Sequence, residues 1–145
     1  WVGGRLPAKA LPPAVTIVVD LVAEYSAPRA IRGLPGYRAL PVLDGGVPPD
    51  AGEVLALVRE LVHVGGDVLV HCDSGRGRAP TMAAALLIAR GAVDDVDGAV
   101  AYIAARRPVA APTRSDLAFL EAMLPALRDV ARSDAPRLHR HEAVS

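Results

Sequence analysis

The only cysteine of the chain, Cys72, lies in a segment whose residue types suit nucleophilic chemistry on a phosphate group. Gly75 and Gly77 follow it, and Arg78 comes after five intervening residues. Glycines let the backbone curl so that successive N–H groups point inward and bind an anion. An arginine adds a planar guanidinium that can bind two phosphate oxygens, and the same positive field favours the nucleophilic thiolate. These residues predict phosphoryl transfer through a covalent phosphocysteine.

A buried structural cysteine before a glycine-rich turn is the alternative interpretation of Cys72. It leaves the two spaced glycines and Arg78 without a role. The segment also follows an apolar strand pattern and precedes a helical pattern. Ligands of α/β proteins bind beyond the carboxyl ends of the strands, and helix N-termini attract anions. We therefore favour the nucleophile.

The patterns along the chain predict the elements that position this segment. Continuous β-branched runs over residues 14–21 and 67–72 predict buried strands, and residues 37–43 predict a strand near a sheet edge because Pro41 lacks an N–H. Helical spacing and stop signals predict helices over residues 49–64, 79–90, 93–106 and 115–131, with Ser115 as a cap. The alternation of strands and helices predicts an α/β fold with a central, mainly parallel sheet of four or five strands flanked by helices.

Composition limits the class of protein. The 145 residues are 52% hydrophobic and predict a single domain over residues 1–131, followed by a disordered tail over residues 132–145. Sixteen basic residues balance sixteen acidic ones, which gives no support to a nucleic-acid partner. One cysteine cannot form an internal disulfide, which favours a reducing compartment. We expect a cytoplasmic domain that meets a membrane only through its substrate or through a segment outside this sequence.

The stretch "HCDSGRGR", residues 71–78, resembles the H-C-x-x-G-x-x-R signature of cysteine-dependent phosphatases. "WVGGRLP" resembles the opening strand of that family, "LPVLDGGVPP" its general-acid loop, and "ARRP" the arginine–proline pair that follows a later helix. The resemblance covers about residues 1–125 and is strongest to compact dual-specificity phosphatases, in particular the phosphatidylglycerophosphate phosphatases and their bacterial relatives. It implies a protein tyrosine phosphatase-like fold.

The resemblance also implies roles for individual residues. Cys72 would be the nucleophile, Arg78 would bind the phosphoryl oxygens, His71 would orient the loop, and Asp44 would be the general acid. No cofactor or metal is implied, because the loop and Arg78 supply the positive charge. The amides that would cradle the phosphate belong to Asp73, Ser74, Gly75, Arg76, Gly77 and Arg78.

Several of these residues have a second interpretation. Asp44 is also typical of a turn aspartate in "DGG", and Asp50, the other candidate acid, is typical of a helix cap. His71 could be a core histidine, and Arg76 a solvated loop side chain or a second phosphate contact. Asp73 would repel the substrate if it pointed inward, so we expect it to point outward.

Ala79 departs from the family pattern, which usually has Ser or Thr directly after the loop arginine. That hydroxyl donates to the cysteine sulfur and helps the thiolate to leave. Thr81 retains a hydroxyl two residues further along and could support the site. Loss of one donor to a charged group costs about 1.5–3 kcal/mol and would slow breakdown of the phosphocysteine by about tenfold or more.

Two functions therefore remain open. The favoured one is a phosphatase acting on phosphotyrosine, phosphoserine or phosphothreonine in proteins, or on a lipid phosphate. The alternative is a weakly active or inactive phosphate-binding module. A rhodanese-like sulfurtransferase is a distant third. Tyr25 and Tyr37 are candidate recognition aromatics but are more typical of surface or edge-strand positions, which favours an open site.

Overall fold

The structure is a computed structural model that describes residues 1–5 and 11–142, with side chains described up to residue 134. Residues 6–10 and 143–145, parts of the predicted opening loop and tail, lie outside the described residues. Four parallel strands form one sheet in the order β1-β4-β2-β3. Their bounds are β1 Val2–Gly3, β2 Val15–Val22, β3 Tyr37–Val42 and β4 Asp67–His71. The predicted mainly parallel α/β sheet is confirmed.

The two central strands, β2 and β4, are the ones with the longest apolar runs. A parallel sheet has both faces covered, so its central strands need apolar residues on both sides. The register pairs Val19 with Val70 and Asp20 with His71. Pro41 lies in β3, at the sheet edge, between Ala39 and Val42, where the register of β3 against β2 shifts.

In the described part of the chain, five helices flank the sheet: α1 Arg29–Arg32, α2 Ala51–Leu61, α3 Arg78–Ala89, α4 Val96–Arg106 and α5 Arg114–Glu142. α3 starts directly after residues 72–77, which we call the cysteine loop, and is the central helix of the core. All of its residues except Leu87 are buried, because it packs against α4, α5 and the sheet. The small alanine side chains of α3 allow these neighbouring elements to pack closely against it. No helix within the described residues is both long enough and apolar enough to cross a bilayer.

α5 differs from its prediction at both ends. Its cap is Thr113, not Ser115: Asp116 N–H donates to Thr113 Oγ1 (3.1 Å), and Thr113 N–H donates to Asp116 Oδ2 (2.8 Å). This reciprocal pair is a capping box. The helix also continues through Glu142, so residues 132–142 are helical where the sequence predicted a disordered tail. Once a helix is nucleated, each added residue gains a hydrogen bond without needing an apolar stripe.

Candidate active site

Cys72 lies directly after β4, at the carboxyl end of the sheet, and its thiol is free and buried. Its N–H donates to the Gly3 carbonyl at 3.2 Å, which ties the loop to β1. The Gly75 N–H points back into the loop and donates to Cys72 Sγ at 3.2 Å. A backbone dipole is therefore directed at the sulfur, where it stabilises negative charge.

The two loop glycines have different reasons to be there. Gly75 has φ of +70°, and a Cβ at that position would lie 2.1 Å from Arg107 Nη2. Gly77 has φ of −120°, and a Cβ there would meet only Asp116 Oδ2 at an ordinary 3.6 Å. The residue pattern predicted the same role for both glycines, but only Gly75 requires a left-handed backbone.

The outside of the loop is held by hydrogen bonds to its carbonyls. Arg107 donates from Nε to the Gly75 carbonyl (2.8 Å) and from Nη2 to the Ser74 carbonyl (3.2 Å). Ala111 N–H donates to the Arg76 carbonyl at 2.7 Å. Peptide planes are trans, so each N–H points opposite to the carbonyl of its own plane. The amides of residues 75–77 therefore face the interior of the loop, as an anion cradle requires.

Arg78 is the first residue of α3, and its side chain is only 5% exposed. Its Nη1 donates to both oxygens of Glu24, at 3.0 and 2.9 Å, and to the Val42 carbonyl at 2.7 Å. Burial is the largest single influence and lowers the pKa of Arg78, but the hydrogen bonds and charge of Glu24, together with the charges of Cys72 and Asp44, outweigh it and raise the pKa. Within the described residues all of its hydrogen bonds use Nη1, so Nε and Nη2 remain for a ligand.

Glu24 is a site residue that the sequence reasoning missed. It binds Arg78, and its Oε1 also accepts the Asp44 N–H at 2.7 Å. The hydrogen bond from Arg78 holds the pKa of Glu24 at about 2. The available signal was its position: Glu24 comes two residues after the end of β2, at the same edge of the sheet as Cys72.

The two candidate acids, Asp44 and Asp50, have different surroundings. Asp44 Oδ1 lies 3.7 Å from Arg78 Nη2, and its side chain is 85% exposed. Asp50 caps α2, because its Oδ1 accepts the N–H groups of Gly52 (2.8 Å) and Glu53 (3.3 Å). The structure therefore brings Asp44 to the cysteine loop and gives Asp50 a structural partner.

His71 is 2% exposed and faces Asp20 on the neighbouring strand. Its Nε2 lies 3.2 Å from Asp20 Oδ1 without the alignment of a hydrogen bond, and its Nδ1 lies 3.4 Å from the Cys72 carbonyl. Burial lowers the pKa of His71, and the negative charge of Asp20 offsets this only in part. Asp20 also accepts from the Tyr37 hydroxyl. An acidic residue inside the apolar run of β2 was the signal for this buried pair.

Asp73 points away from the loop interior, where it accepts from the Tyr25 hydroxyl (2.7 Å) and Arg5 Nε (3.4 Å). The hydrogen bond from Tyr25 lowers the pKa of Asp73. The Asp73 carboxylate is thus held by Tyr25 and Arg5, which lie outside the cysteine loop. The Arg76 side chain is exposed, and Ser74 contributes its backbone carbonyl to the Arg107 contact.

The hydroxyl of Thr81 is not directed at the cysteine. It donates to the Gly77 carbonyl at 2.7 Å, one turn back along α3. Ala79 is fully buried and presents only a methyl group. The described residues hold no cluster of three or more His, Cys, Asp and Glu side chains that could bind a metal ion.

Comparison with known proteins agrees with this geometry. Residues 12–125 match the family described as "Swiss Army Knife protein, DSP-PTPase phosphatase domain". The chain belongs to the dual-specificity phosphatase family. It is 32% identical over 104 residues to dual specificity protein phosphatase 2 of Mus musculus, covering 70% of this chain and 32% of the mouse protein. The chain thus spans about a third of the length of that relative.

Two solved structures share the fold of this phosphatase domain. A mouse putative dual specificity phosphatase, complexed with zinc tungstate, is 26% identical with a TM-score of 0.63, over 81% of this chain and 74% of that one. PTPMT1 is 21% identical with a TM-score of 0.69, over 91% and 93% of the two chains. The second likeness, at this identity, establishes the fold alone.

Proposed function

We propose that this domain hydrolyses phosphomonoesters through a phosphocysteine intermediate. The observation that carries the proposal is the arrangement around Cys72: a backbone N–H points at the sulfur, and the loop amides face inward. Among the described residues, the Nε and Nη2 of Arg78 make no hydrogen bond, and Nη2 lies 3.7 Å from Asp44 Oδ1. Family membership supports phosphoester hydrolysis in general. The tungstate complex of the mouse relative supports binding of a tetrahedral oxyanion, the shape of phosphate.

In the first step the Cys72 thiolate attacks phosphorus, an S–P bond forms and the bond to the leaving oxygen breaks. Asp44 gives its proton to that oxygen. In the second step water attacks phosphorus, Asp44 takes the proton of the water, and the S–P bond breaks to return the thiolate and inorganic phosphate. Arg78 and the loop amides stabilise the charge on the phosphoryl oxygens in both steps.

The surroundings of Arg78 support an open substrate site. Asp44, the proposed acid beside Arg78, has a side chain that is 85% exposed, so the site opens directly to solvent. A shallow site admits phosphoserine, phosphothreonine or a lipid phosphate as well as phosphotyrosine. We therefore propose phosphorylated side chains of proteins or a lipid phosphate as the substrate class.

The alternative, a weakly active or inactive phosphate-binding module, is supported by a specific observation. The position after Arg78 offers a buried methyl group, and the Thr81 hydroxyl already donates to a carbonyl. Neither supplies a hydroxyl proton to the cysteine sulfur. The missing hydroxyl should therefore slow the second step, the hydrolysis of the phosphocysteine, and should leave phosphate binding by the loop amides unchanged.

Rapid mixing of the protein with an activated aryl phosphate separates these functions. A burst of the aryl alcohol equal to one per Cys72, followed by turnover, is expected for the phosphatase and is absent in Cys72→Ser. Ser74→Ala is the matched control, since Ser74 contributes its backbone to the loop. Phosphate binding without a burst would favour the binding module, and equal activity of wild type and Cys72→Ser would exclude the cysteine mechanism.

A panel of substrates then defines the class. Phosphotyrosine peptide, phosphoserine peptide, phosphoinositides and phosphatidylglycerophosphate are compared by kcat/KM, each with Cys72→Ser as the blank. We expect activity on more than one of these classes because the site is shallow. Turnover of phosphotyrosine alone would contradict an open site.

A further inference from the structure

A second cavity, of about 530 Å³, lies between the β1–β4 edge of the sheet and helices α3 and α4. Neither Cys72 nor Asp44 lines it. Arg107 lines this cavity and also binds carbonyls of the cysteine loop. The volume of this cavity falls within the roughly 300–1,000 Å³ typical of small-molecule sites. We call it the edge cavity.

The walls of the edge cavity are apolar. β1 and β4 contribute one face of the sheet, and the two helices contribute the opposite side. The apolar side chains include Val2, Val70, Ala83, Leu86, Leu87 and Ile103. Such walls favour a hydrocarbon chain, because its burial removes apolar surface from water.

The charged residues that line the edge cavity are mainly basic: three arginines against one aspartate. The carboxylate of Asp67 already accepts the Trp1 indole N–H at 2.8 Å. Arg106 stacks over the Tyr102 ring at 3.5 Å from its centroid, and Arg90 donates to the Leu61 carbonyl at 3.1 Å. Each of these two contacts orients a guanidinium and leaves further donors for a ligand, since arginine carries five N–H groups.

We propose that the edge cavity binds a fatty-acid carboxylate, with the alkyl chain against the apolar walls and the carboxylate against the arginines. An arginine fork matches a carboxylate in a bidentate arrangement. The charge balance of the lining favours an anion over a neutral or cationic amphiphile. This site does not rest on the phosphatase activity, because it does not use Cys72.

Trp1 is the only tryptophan of the chain and lines the edge cavity, so its fluorescence reports occupancy. Titration with laurate, kept below its micellar concentration, is expected to give a saturable change. Affinity should rise along the series octanoate, decanoate, laurate, by up to about fourfold for each methylene that becomes fully buried. Dodecanol, which has the same chain without the charge, should bind at least about fivefold more weakly. An affinity independent of chain length or of charge would overturn the proposal.

Arg106→Gln tests the carboxylate end. Arg106 is exposed, so its loss should leave the fold intact and weaken laurate binding by about fivefold. Arg59→Gln, an exposed arginine on α2 outside the edge cavity, is the matched control and should leave the affinity unchanged. Calorimetry gives a second readout that does not depend on Trp1. Equal affinities of the two variants would overturn the assignment of the carboxylate.

Competition separates this cavity from the cysteine loop. Inorganic phosphate should not displace laurate, and Cys72→Ser should keep laurate binding while it loses hydrolysis. Displacement of laurate by phosphate would place the carboxylate at Arg78 and overturn the proposal. A wild-type protein that binds laurate but hydrolyses no phosphomonoester would contradict the proposed phosphatase activity and leave the proposed edge-cavity site intact.

Discussion

Arg78 and Glu24 form a two-point ion pair, in which Nη1 of the arginine lies 3.0 and 2.9 Å from the two carboxylate oxygens. The same carboxylate accepts the backbone N–H of Asp44 at 2.7 Å. Glu24 therefore joins Arg78, directly after the cysteine loop, to the segment that carries the proposed acid. Its pKa of about 2 keeps it charged at neutral pH.

Glu24→Gln should lower kcat/KM by about tenfold or more, because a displaced guanidinium no longer meets the phosphoryl oxygens. Inhibition by inorganic phosphate should weaken in parallel. Glu121→Gln, an exposed glutamate on α5, is the matched control. Unchanged kinetics in Glu24→Gln would show that Arg78 is positioned without the ion pair. Because the pKa of Glu24 is about 2, a loss of activity between neutral pH and about pH 4 should not be caused by protonation of Glu24.

Asp44→Asn should slow hydrolysis of alkyl phosphates by about 10²–10⁴-fold, because a poor leaving group needs the proton. Activated aryl phosphates should be affected much less. Steady-state kinetics on both substrate types measure this difference. Equal losses on the two would count against a leaving-group acid.

Asp50→Asn serves as the comparison for Asp44. The cap of α2 should tolerate this change, since Asn is as good a cap as Asp. Kinetics close to wild type are expected. A loss that depends on the leaving group in Asp50→Asn would transfer the acid role to Asp50.

Ala79→Ser should accelerate the second step, because it adds a hydroxyl next to Arg78 where none is directed at the sulfur. We expect steady-state turnover to rise by about tenfold with no change in the burst rate, since only the thiolate leaving group gains a donor. Thr81→Ser keeps the existing hydroxyl and should change neither rate. A lower turnover in Ala79→Ser would show that the buried position has no room for the oxygen.

Gly75→Ala should destabilise the loop, whereas Gly77→Ala should not do so to the same degree. A left-handed backbone costs an L-residue about 1–2 kcal/mol, and the new Cβ would also displace Arg107, 2.1 Å away. Urea unfolding and phosphate affinity measure the two effects. Similar losses in both variants would contradict the different roles of the two glycines.

His71 should make the stability of the protein depend on pH. Burial holds its pKa below the ordinary 6.5, so the unfolded chain binds more protons than the folded protein as the pH falls past 6.5. The free energy of unfolding should therefore fall from about pH 6.5 towards the lower folded pKa, and this group should contribute no slope above that window. His71→Gln should flatten the slope, which urea unfolding at a series of pH values measures. Equal slopes in the wild type and in His71→Gln would contradict the assignment.

The cysteine loop was predictable because its residues are consecutive. The spacing of Cys72, Gly75 and Arg78 can be read within one strand–loop–helix segment. The conformation of that loop then follows from local backbone geometry. The strands were predictable because a two-sided parallel sheet requires continuous apolar runs. The extent of α5 was not, since residues 132–142 lack the apolar period on which the prediction relied.

The partners of the loop could not be predicted in the same way. Glu24 and Arg107 are distant from Arg78 and Gly75 in sequence and meet them only because the strand order brings the ends of β2 and β4 together. The same holds for Asp20 beside His71, which depends on the register of the two strands. Propensity and periodicity contain no information on which distant side chains converge.

The sequence by itself determined the α/β class, the position of the proposed nucleophile and the family to which the chain belongs. The tertiary structure decided that Glu24 anchors Arg78, that Asp50 is a cap and Asp44 is not, and that only one loop glycine needs its conformation. The physical reason is the range of the interactions. Patterns within one element follow from local geometry, whereas ion pairs and close approaches between elements exist only once the sheet order and register are fixed.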